Sequence, residues 1–416
     1  MLPLILLRLL WRAGQARAYR QRIAERFGFF AAPRQTGGLW IHAVSVGESI
    51  AAAPIIQHFL DNYPQLPIVV TTMTPTGSER VRSMFGERVF HVYAPYDLPD
   101  AVGRFLNKLR PAVAVIMETE VWPNMVCQAE GRGIPVILAN GRMSARSARG
   151  YGRLTKLSRD VFSRFSRIAA QSEADGERFV ALGLPLSKLT VSGSIKFDLQ
   201  ISATFLAQTQ DLRRVMLGRR PVWIAASTHA GEDEMLLLAH RQLLRSAPRA
   251  VLILVPRHPE RFNKVAELLA AQNFVHERRS VLRQAGAAIS LAEPSSVLLG
   301  DTMGELLMLL ACADVAFVGG SFIDHGGHNT LEPAALGLPV LSGPSDFNFA
   351  EISALLTASG GLLKVADADA LAVALQELFA DPQRRQAQGA AAKGVVDNNR
   401  GALQRLLTII ESELNA

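Results

Sequence analysis

The sequence predicts an α/β protein of two domains, each built on a parallel sheet with helices on both faces, and three observations carry that expectation. The chain has 416 residues, too many for one comfortable hydrophobic core, and at 49% hydrophobic with 19% charged it is too apolar to be disordered. Short runs rich in β-branched residues alternate with amphipathic stretches, the signature of βαβ units. The runs fall into two series, at residues 39–44, 68–73, 89–93, 112–117, 135–139, 168–171 and 189–191, then at 222–226, 251–255, 315–318, 339–341 and 362–365. Between the series, residues 201–220 are polar and lack a strand signal, so they read as a linker between a domain over 1–200 and a domain over 221–400. The last stretch, 401–416, reads as a helix that packs back on the first domain.

Charge is distributed unevenly. Residues 1–200 carry 25 Lys+Arg against 15 Asp+Glu, whereas the remainder carries 19 against 22. Such asymmetry expects the first half to meet a polyanion. Nucleic acid ranks below lipid headgroups as that partner, because no zinc-finger spacing or aromatic-basic ribonucleoprotein signature is present and aromatics make up only 7% of the chain. Residues 1–10 are almost wholly apolar and Arg8, Arg12, Arg17, Arg20, Arg22 and Arg26 follow closely. That run is too short to span a bilayer, which takes about 20 apolar residues. An interfacial helix with a positive flank fits, and it points to the cytoplasmic face of a membrane. Cys127 and Cys312, far apart and without metal-ligand spacing, point to a reducing compartment and to no structural metal.

Open parallel sheets bind ligands beyond the carboxyl ends of their strands, so two Rossmann-like domains facing across a cleft would each offer strand-to-helix loops for chemistry. After the first strand comes His42-Ala43-Val44-Ser45-Val46-Gly47-Glu48-Ser49, which places Glu48 in the first turn of a helix, where either a catalytic or a dipole-stabilised role suits it. The run ending at Met117 goes straight into Glu118 and Glu120, followed by Pro123 as a helix start. A carboxylate directly off a buried strand is costly unless used. Ser192-Gly193-Ser194-Ile195-Lys196 places a lysine at the end of the last strand of the first domain. In the second domain, Ala226 to Glu232 forms a small-residue loop, and Pro256-Arg257-His258-Pro259 sets a cation between prolines. The most specific pattern runs from Val318-Gly319-Gly320-Ser321 through His325-Gly326-Gly327-His328-Asn329-Thr330-Leu331-Glu332-Pro333. Its glycines are expected to let backbone N–H groups approach a phosphate, with Glu332 accepting from ribose hydroxyls near a helix start.

This last pattern resembles the nucleotide-sugar site of GT-B glycosyltransferases. Taken in order, HAVSVGES, METEVWPN, NGRMS, SGSIKFD, ASTHAGE, VPRHPERF, GDTMGEL and GGHNTLEPAALGLPV resemble the 3-deoxy-D-manno-octulosonic acid (Kdo) transferases of lipopolysaccharide assembly over nearly the whole chain. The resemblance implies the GT-B fold, CMP-Kdo as donor, a lipid A precursor (lipid IVA) as acceptor and inversion at the anomeric carbon. It also implies no further cofactor, and action at the cytoplasmic face of the bacterial inner membrane. Residue by residue, Glu48 matches the general base, and Glu118 and Lys196 match groups that support the transition state. Pro256 and Arg257, then Met303, Gly304 and Glu305, and finally Asn329, Thr330, Leu331 and Glu332 match the segments that hold the cytidine monophosphate.

Two further features are read from the residues themselves. Arg142, Arg146 and Arg149, continued by Arg153, Lys156 and Arg159, recur at three- and four-residue steps and would form one cationic stripe for acceptor phosphates if helical. Asp367-Ala368-Asp369 has the look of a metal-binding pair, but its place between a strand and an alanine-rich helix reads as helix capping. His42, His91 and His240 read as structural. Another GT-B enzyme using a UDP-sugar, a catalytically silent lipid- or phosphate-binding protein and a nucleic-acid binder are the alternatives.

Overall fold

A computed structural model of the chain describes residues 17–284, 290–293 and 295–415. The apolar run at residues 1–10, with Arg8 and Arg12, lies outside the described residues. The chain forms two compact units, residues 1–198 with 400–416, and residues 199–399.

Unit 1 holds a seven-stranded sheet of β1 (Leu39–His42), β2 (Ile68–Thr72), β3 (Phe90–Tyr93), β4 (Val113–Met117), β5 (Val136–Gly141), β6 (Arg167–Ala170) and β7 (Leu189–Val191). Their order is β3-β2-β1-β4-β5-β6-β7, and every pairing is parallel. Strands β1 and β4 are completely buried, as strands covered by helices on both faces must be. Alternation sends Leu39 and Ile41 to one face, with Ile55, Phe59 and Val115, and sends Trp40 to the other, with Phe105, Phe162 and Phe165.

The helix Ala402–Leu414 completes the first of those faces. Ala402, Leu406, Leu407 and Ile410 are buried there beside Ile41, Val113 and Ile137. Its start is clasped by Asp198, whose two carboxylate oxygens accept from Gly401 N and Leu403 N, each at 2.6 Å. Since Leu403 N has no intrahelical partner, the bond satisfies an orphan donor and places negative charge at the positive end of the helix.

Unit 2 repeats the plan with β8 (Val222–Thr228), β9 (Val251–Pro256), β10 (His276–Arg278), β11 (Val297–Leu299), β12 (Val315–Val318), β13 (Val340–Ser342) and β14 (Leu362–Lys364). The order is β10-β11-β9-β8-β12-β13-β14, again wholly parallel. Two strands are absent from the sequence reading. Each has three residues, and β10 is His-Glu-Arg at the sheet edge, too short and too polar for a periodicity signal.

The expected linker over 201–220 is instead mostly helix. Ala203–Leu217 begins at Ser202, whose hydroxyl caps Phe205 N at 3.1 Å, and belongs to unit 2. Met216 and Leu217 are buried against Val222, Ile224 and Leu309, and Arg213 grips both oxygens of Asp314 at 2.9 Å. Its glutamines and arginines obscured an apolar stripe that only tertiary packing reveals.

In unit 1, truncating Leu406 to alanine removes core volume where the C-terminal helix meets the sheet. Urea unfolding of Leu406→Ala is expected to show a stability loss of about 2–5 kcal/mol.

Candidate active site

In unit 1 the strand order reverses between β1 and β4, and in unit 2 it reverses between β8 and β12, with β11 inserted between β10 and β9 farther along the sheet. Loops leaving the two strands at such a point part to opposite faces and open a crevice at the carboxyl edge. Glu48 and Glu118 follow the two strands at that point in unit 1, and the loops carrying Glu232 and Asn329 to Glu332 follow the two in unit 2.

In unit 1, β1 leads into the helix Val46–Asn62 with Ser45 as its cap. Ser45 Oγ accepts from Glu48 N at 3.3 Å and donates to Glu48 Oε1 at 2.8 Å, while Val44 N donates to Glu48 Oε2 at 2.8 Å. This is a variant of the capping box, the carboxylate reaching the N–H before the cap residue instead of that of the cap itself, and its glutamate is 8% exposed. Burial pushes the Glu48 carboxyl up to about 7; the bonds from Val44 and Ser45 oppose the shift, and the neighbouring carboxylates of Glu120 and Glu118 add to it. Glu118 follows β4 directly with φ +56°, a left-handed conformation that a glutamate adopts only under constraint. Its backbone is tied to β5 through Glu118 N to Ala139 O at 2.9 Å, and Lys196 Nζ stands 3.9 Å from its Oε1. Glu120 is held aside by Trp122 Nε1 at 2.8 Å.

In unit 2 the expected phosphate cradle has an occupant from the chain itself. The carboxylate of Glu232, fully buried, accepts from Gly320 N at 2.7 Å and His229 N at 2.9 Å through Oε2, and from Ser321 N and Phe322 N at 3.0 Å through Oε1. The N–H groups after β12 therefore face Glu232, which corrects the expectation that they approach a donor phosphate. Gly319 lies so close to β8 that a Cβ there would stand 2.8 Å from Ser227 O, and Gly320 takes φ +71° to turn the loop inward.

The remaining donor candidates leave neighbouring strands. Pro256 ends β9, and Arg257 is exposed, its backbone N donating to Thr228 O at 3.0 Å. Beyond β11, Met303 is exposed, Gly304 turns with φ +80°, and Glu305 takes hydrogen bonds from Thr302 and Arg279. Burial would raise the Glu305 carboxyl, but Thr302, Arg279 and Arg283 together hold it below the usual range. Beyond β12, Asn329 Oδ1 accepts from Leu331 N at 3.0 Å and its Nδ2 donates to Glu332 Oε1 at 3.2 Å. Thr330 is buried, and burial raises the Glu332 carboxyl against the Asn329 bond. The helix expected here is a single short one, Leu331–Ala335.

With this geometry in place, comparison with known proteins is decisive. Residues 21–199 match the family model described as 3-Deoxy-D-manno-octulosonic-acid transferase (kdotransferase). The 3-deoxy-D-manno-octulosonic acid transferase of Haemophilus influenzae is 47% identical over 95% of this chain and 92% of its own length. That of Bordetella pertussis is 39% identical over 90% of this chain and 87% of its own. The chain belongs to the Kdo transferase family. Its fold is GT-B, shared at 14% identity with UDP-GlcNAc 2-epimerase from Neisseria meningitidis (TM-score 0.57, covering 91% of this chain and 99% of that one). The glycotransferase of kitacinnamycin shares it at 16% identity (TM-score 0.55, covering 92% and 100%).

Within this Kdo transferase, Arg142, Arg146 and Arg149 do not join Arg153, Lys156 and Arg159 on one helix. The helices Ala145–Gly152 and Thr155–Ser163 are separate, broken at Arg153 and Leu154 after Gly150 and Gly152. All six cations are nevertheless exposed, and none forms an ion pair among the described residues. Asp367 caps its helix by accepting from Ala370 N at 2.9 Å, and Asp369 accepts from Gln242 at 2.6 Å. His240 is buried, accepting from Trp223 Nε1 at 3.1 Å.

Sequence reasoning missed Glu232 as an organiser and missed a cluster of histidines. His229 Nε2 lies 2.7 Å from His328 Nε2, and the rings of His258 and His325 contact that of His229. The adjacency of β9, β8 and β12 was the signal that would have united them.

Two outcomes follow from the buried carboxylates. Glu232→Gln turns an amide N–H₂ toward backbone donors and is expected to lower stability by roughly 3 kcal/mol in urea unfolding. Glu48 works in the other sense, because its folded pKa of about 7 lies above the ordinary 4.5. Its contribution is fully present below pH 4.5 and is lost as pH rises through 7. Glu48→Gln, which can still accept from Val44 and donate to Ser45, should therefore be more stable than the native chain at pH 8, by on the order of 2 kcal/mol, and equal to it near pH 4.

Proposed function

We propose that this Kdo transferase moves Kdo from CMP-Kdo to a lipid A precursor, lipid IVA, with inversion and without a metal ion, at the cytoplasmic face of the bacterial inner membrane. The observation that carries the reading is Glu48, buried at the switch point of unit 1 with its carboxyl at about 7. A general base works best when its pKa matches the working pH, and a single inverting displacement needs one to take the acceptor hydroxyl proton as the sugar bond forms. Ser45 and Val44 hold that carboxylate in one orientation, and Glu118 and Lys196 supply a charged pair beside it to support the transition state. The leaving cytidine monophosphate gains negative charge on its phosphate. Arg257, exposed and in no ion pair among the described residues, is suited to stabilise it. Pro256, the Met303-Gly304-Glu305 turn and Asn329 to Glu332 frame the nucleotide, Glu332 taking ribose hydroxyls.

An acceptor carrying phosphates suits the unpaired arginines at 142, 146 and 149, whose forked guanidinium groups bind phosphate in pairs of hydrogen bonds. Leu154 and Leu157, exposed at 61% and 47%, sit among Arg153, Lys156 and Arg159, a mixture of apolar and cationic groups suited to an anionic lipid surface. No helix among the described residues is long and apolar enough to cross a membrane.

Purified protein incubated with CMP-Kdo, lipid IVA in detergent and EDTA is expected to release CMP and give Kdo-bearing lipid by mass. Glu48→Ala should give none, and the native kcat/KM should rise with pH to a plateau above about 7. Folded native protein that makes no such lipid, with divalent metal restored or not, would overturn this donor and acceptor. Replacing Arg146 and Arg149 together by glutamate should raise the KM for the lipid about tenfold while leaving that for CMP-Kdo near its native value.

A further inference from the structure

Two loops of unit 2 bring three imidazoles to one point of the carboxyl edge. His229 leaves β8, while His325 and His328 stand in the loop after the adjacent β12. The rings of His229 and His328 meet edge to edge through their Nε2 atoms, with 5.0 Å between centroids and planes 10° apart, and that of His325 lies 4.1 Å from His229. One ring nitrogen from each of the three lies within 4.8 Å of the other two. The 2.7 Å contact between the His229 and His328 Nε2 atoms is a hydrogen bond, which requires one of the two nitrogens to accept and hence at least one neutral ring. Neither the acceptor reading nor the nucleotide frame uses these rings.

We propose that His229, His325 and His328 form a binding site for one borderline transition-metal ion of the zinc class, with a fourth position open to water or a phosphate oxygen. Three nitrogen donors with no carboxylate among them favour Zn²⁺, Ni²⁺ or Cu²⁺ over the oxygen-seeking Mg²⁺ and Mn²⁺. Tetrahedral zinc with bonds of about 2.0–2.1 Å sets its nitrogen ligands roughly 3.3 Å apart. The His229–His328 pair must open by about half an ångström to meet that spacing, and His325 must close toward it. His325 is exposed and so has room to move, whereas His229 is buried and anchored, its backbone N held by Glu232 at 2.9 Å. Such an ion would share its edge of the sheet with Arg257, so zinc should inhibit transfer by competing with the nucleotide donor. That consequence rests on the donor reading, while the binding does not.

The test uses the full chain, free of any polyhistidine tag and stripped with EDTA, titrated with Zn²⁺ against a chromogenic chelator and separately with Co²⁺ under visible absorption. One equivalent per chain is expected, with intense Co²⁺ bands of a four-coordinate nitrogen site. His325→Ala, checked by thermal unfolding, should lose affinity at least about tenfold and lose those bands. Zinc inhibition, read relative to each protein's own metal-free rate, should weaken in parallel. Sub-stoichiometric zinc uptake, weak octahedral Co²⁺ bands in the native chain, or native affinity retained in both His325→Ala and His328→Gln would each overturn the site.

Discussion

Parallel pairing is the constraint on which both sites depend. In a parallel sheet every strand hands its following loop to the same edge, and where the strand order reverses the loops on either side diverge and leave a gap. Both sheets have such a reversal beside the first strand of the unit, at β1/β4 and at β8/β12. Glu48 and Glu118 come from the two strands that flank the reversal in unit 1, and Glu232 and the Gly319-Gly320 turn come from the two that flank it in unit 2. The backbone there is under visible strain. Glu118, Asn140 and Ser227 all take positive φ at the ends of β4, β5 and β8, a conformation that costs of order 1–3 kcal/mol for a residue other than glycine and persists only where surrounding packing imposes it.

Two buried carboxylates show how environment divides roles. Both Glu48 and Glu232 stand where a strand gives way to a helix, and both are nearly or wholly withdrawn from water. Glu232 accepts four backbone N–H groups and so has its lone pairs committed to tying the loop after β8 to the loop after β12. Glu48 accepts one backbone N–H and one hydroxyl, with two further carboxylates nearby, and its charged form is under-compensated. The first arrangement builds a loop. The second leaves a group ready to exchange a proton, at the expense of stability whenever it is ionised.

The fold class was legible because long buried strands announce themselves: Leu39–His42, Val113–Met117 and Val222–Thr228 are runs of apolar and β-branched residues. Glu118 stood out because a carboxylate directly after such a strand has few cheap explanations, whereas Glu48, in the first turn of a helix, had a dipole role open to it and was singled out by the family resemblance. What stayed hidden was set by partners distant in sequence. Glu232 bonds to groups 88 to 90 residues away, so nothing in ASTHAGE identified it as the occupant of the glycine turn. His229 and His328 are 99 residues apart and follow no local ligand spacing. The helix Ala203–Leu217 was hidden for a related reason: its apolar stripe is narrow, and Thr209 is buried only because its hydroxyl donates to Phe205 O at 2.7 Å.

The basic character of unit 1 is a local choice, not a diffuse excess. Within the helix Thr155–Ser163 and its flank, the one acid, Asp160, is taken by Arg164, which also holds Glu130 at 2.7 Å. The six cations from Arg142 to Arg159 have no ion-pair partner among the described residues, and two leucines exposed to water lie among them in the sequence. Like charges in such proximity repel, and exposed apolar side chains gain nothing from folding. A surface that combines both features suits a partner that is anionic and apolar together. The phosphorylated lipid acceptor proposed above would be such a partner, and release of counterions and burial of Leu154 and Leu157 against it would act in the same direction.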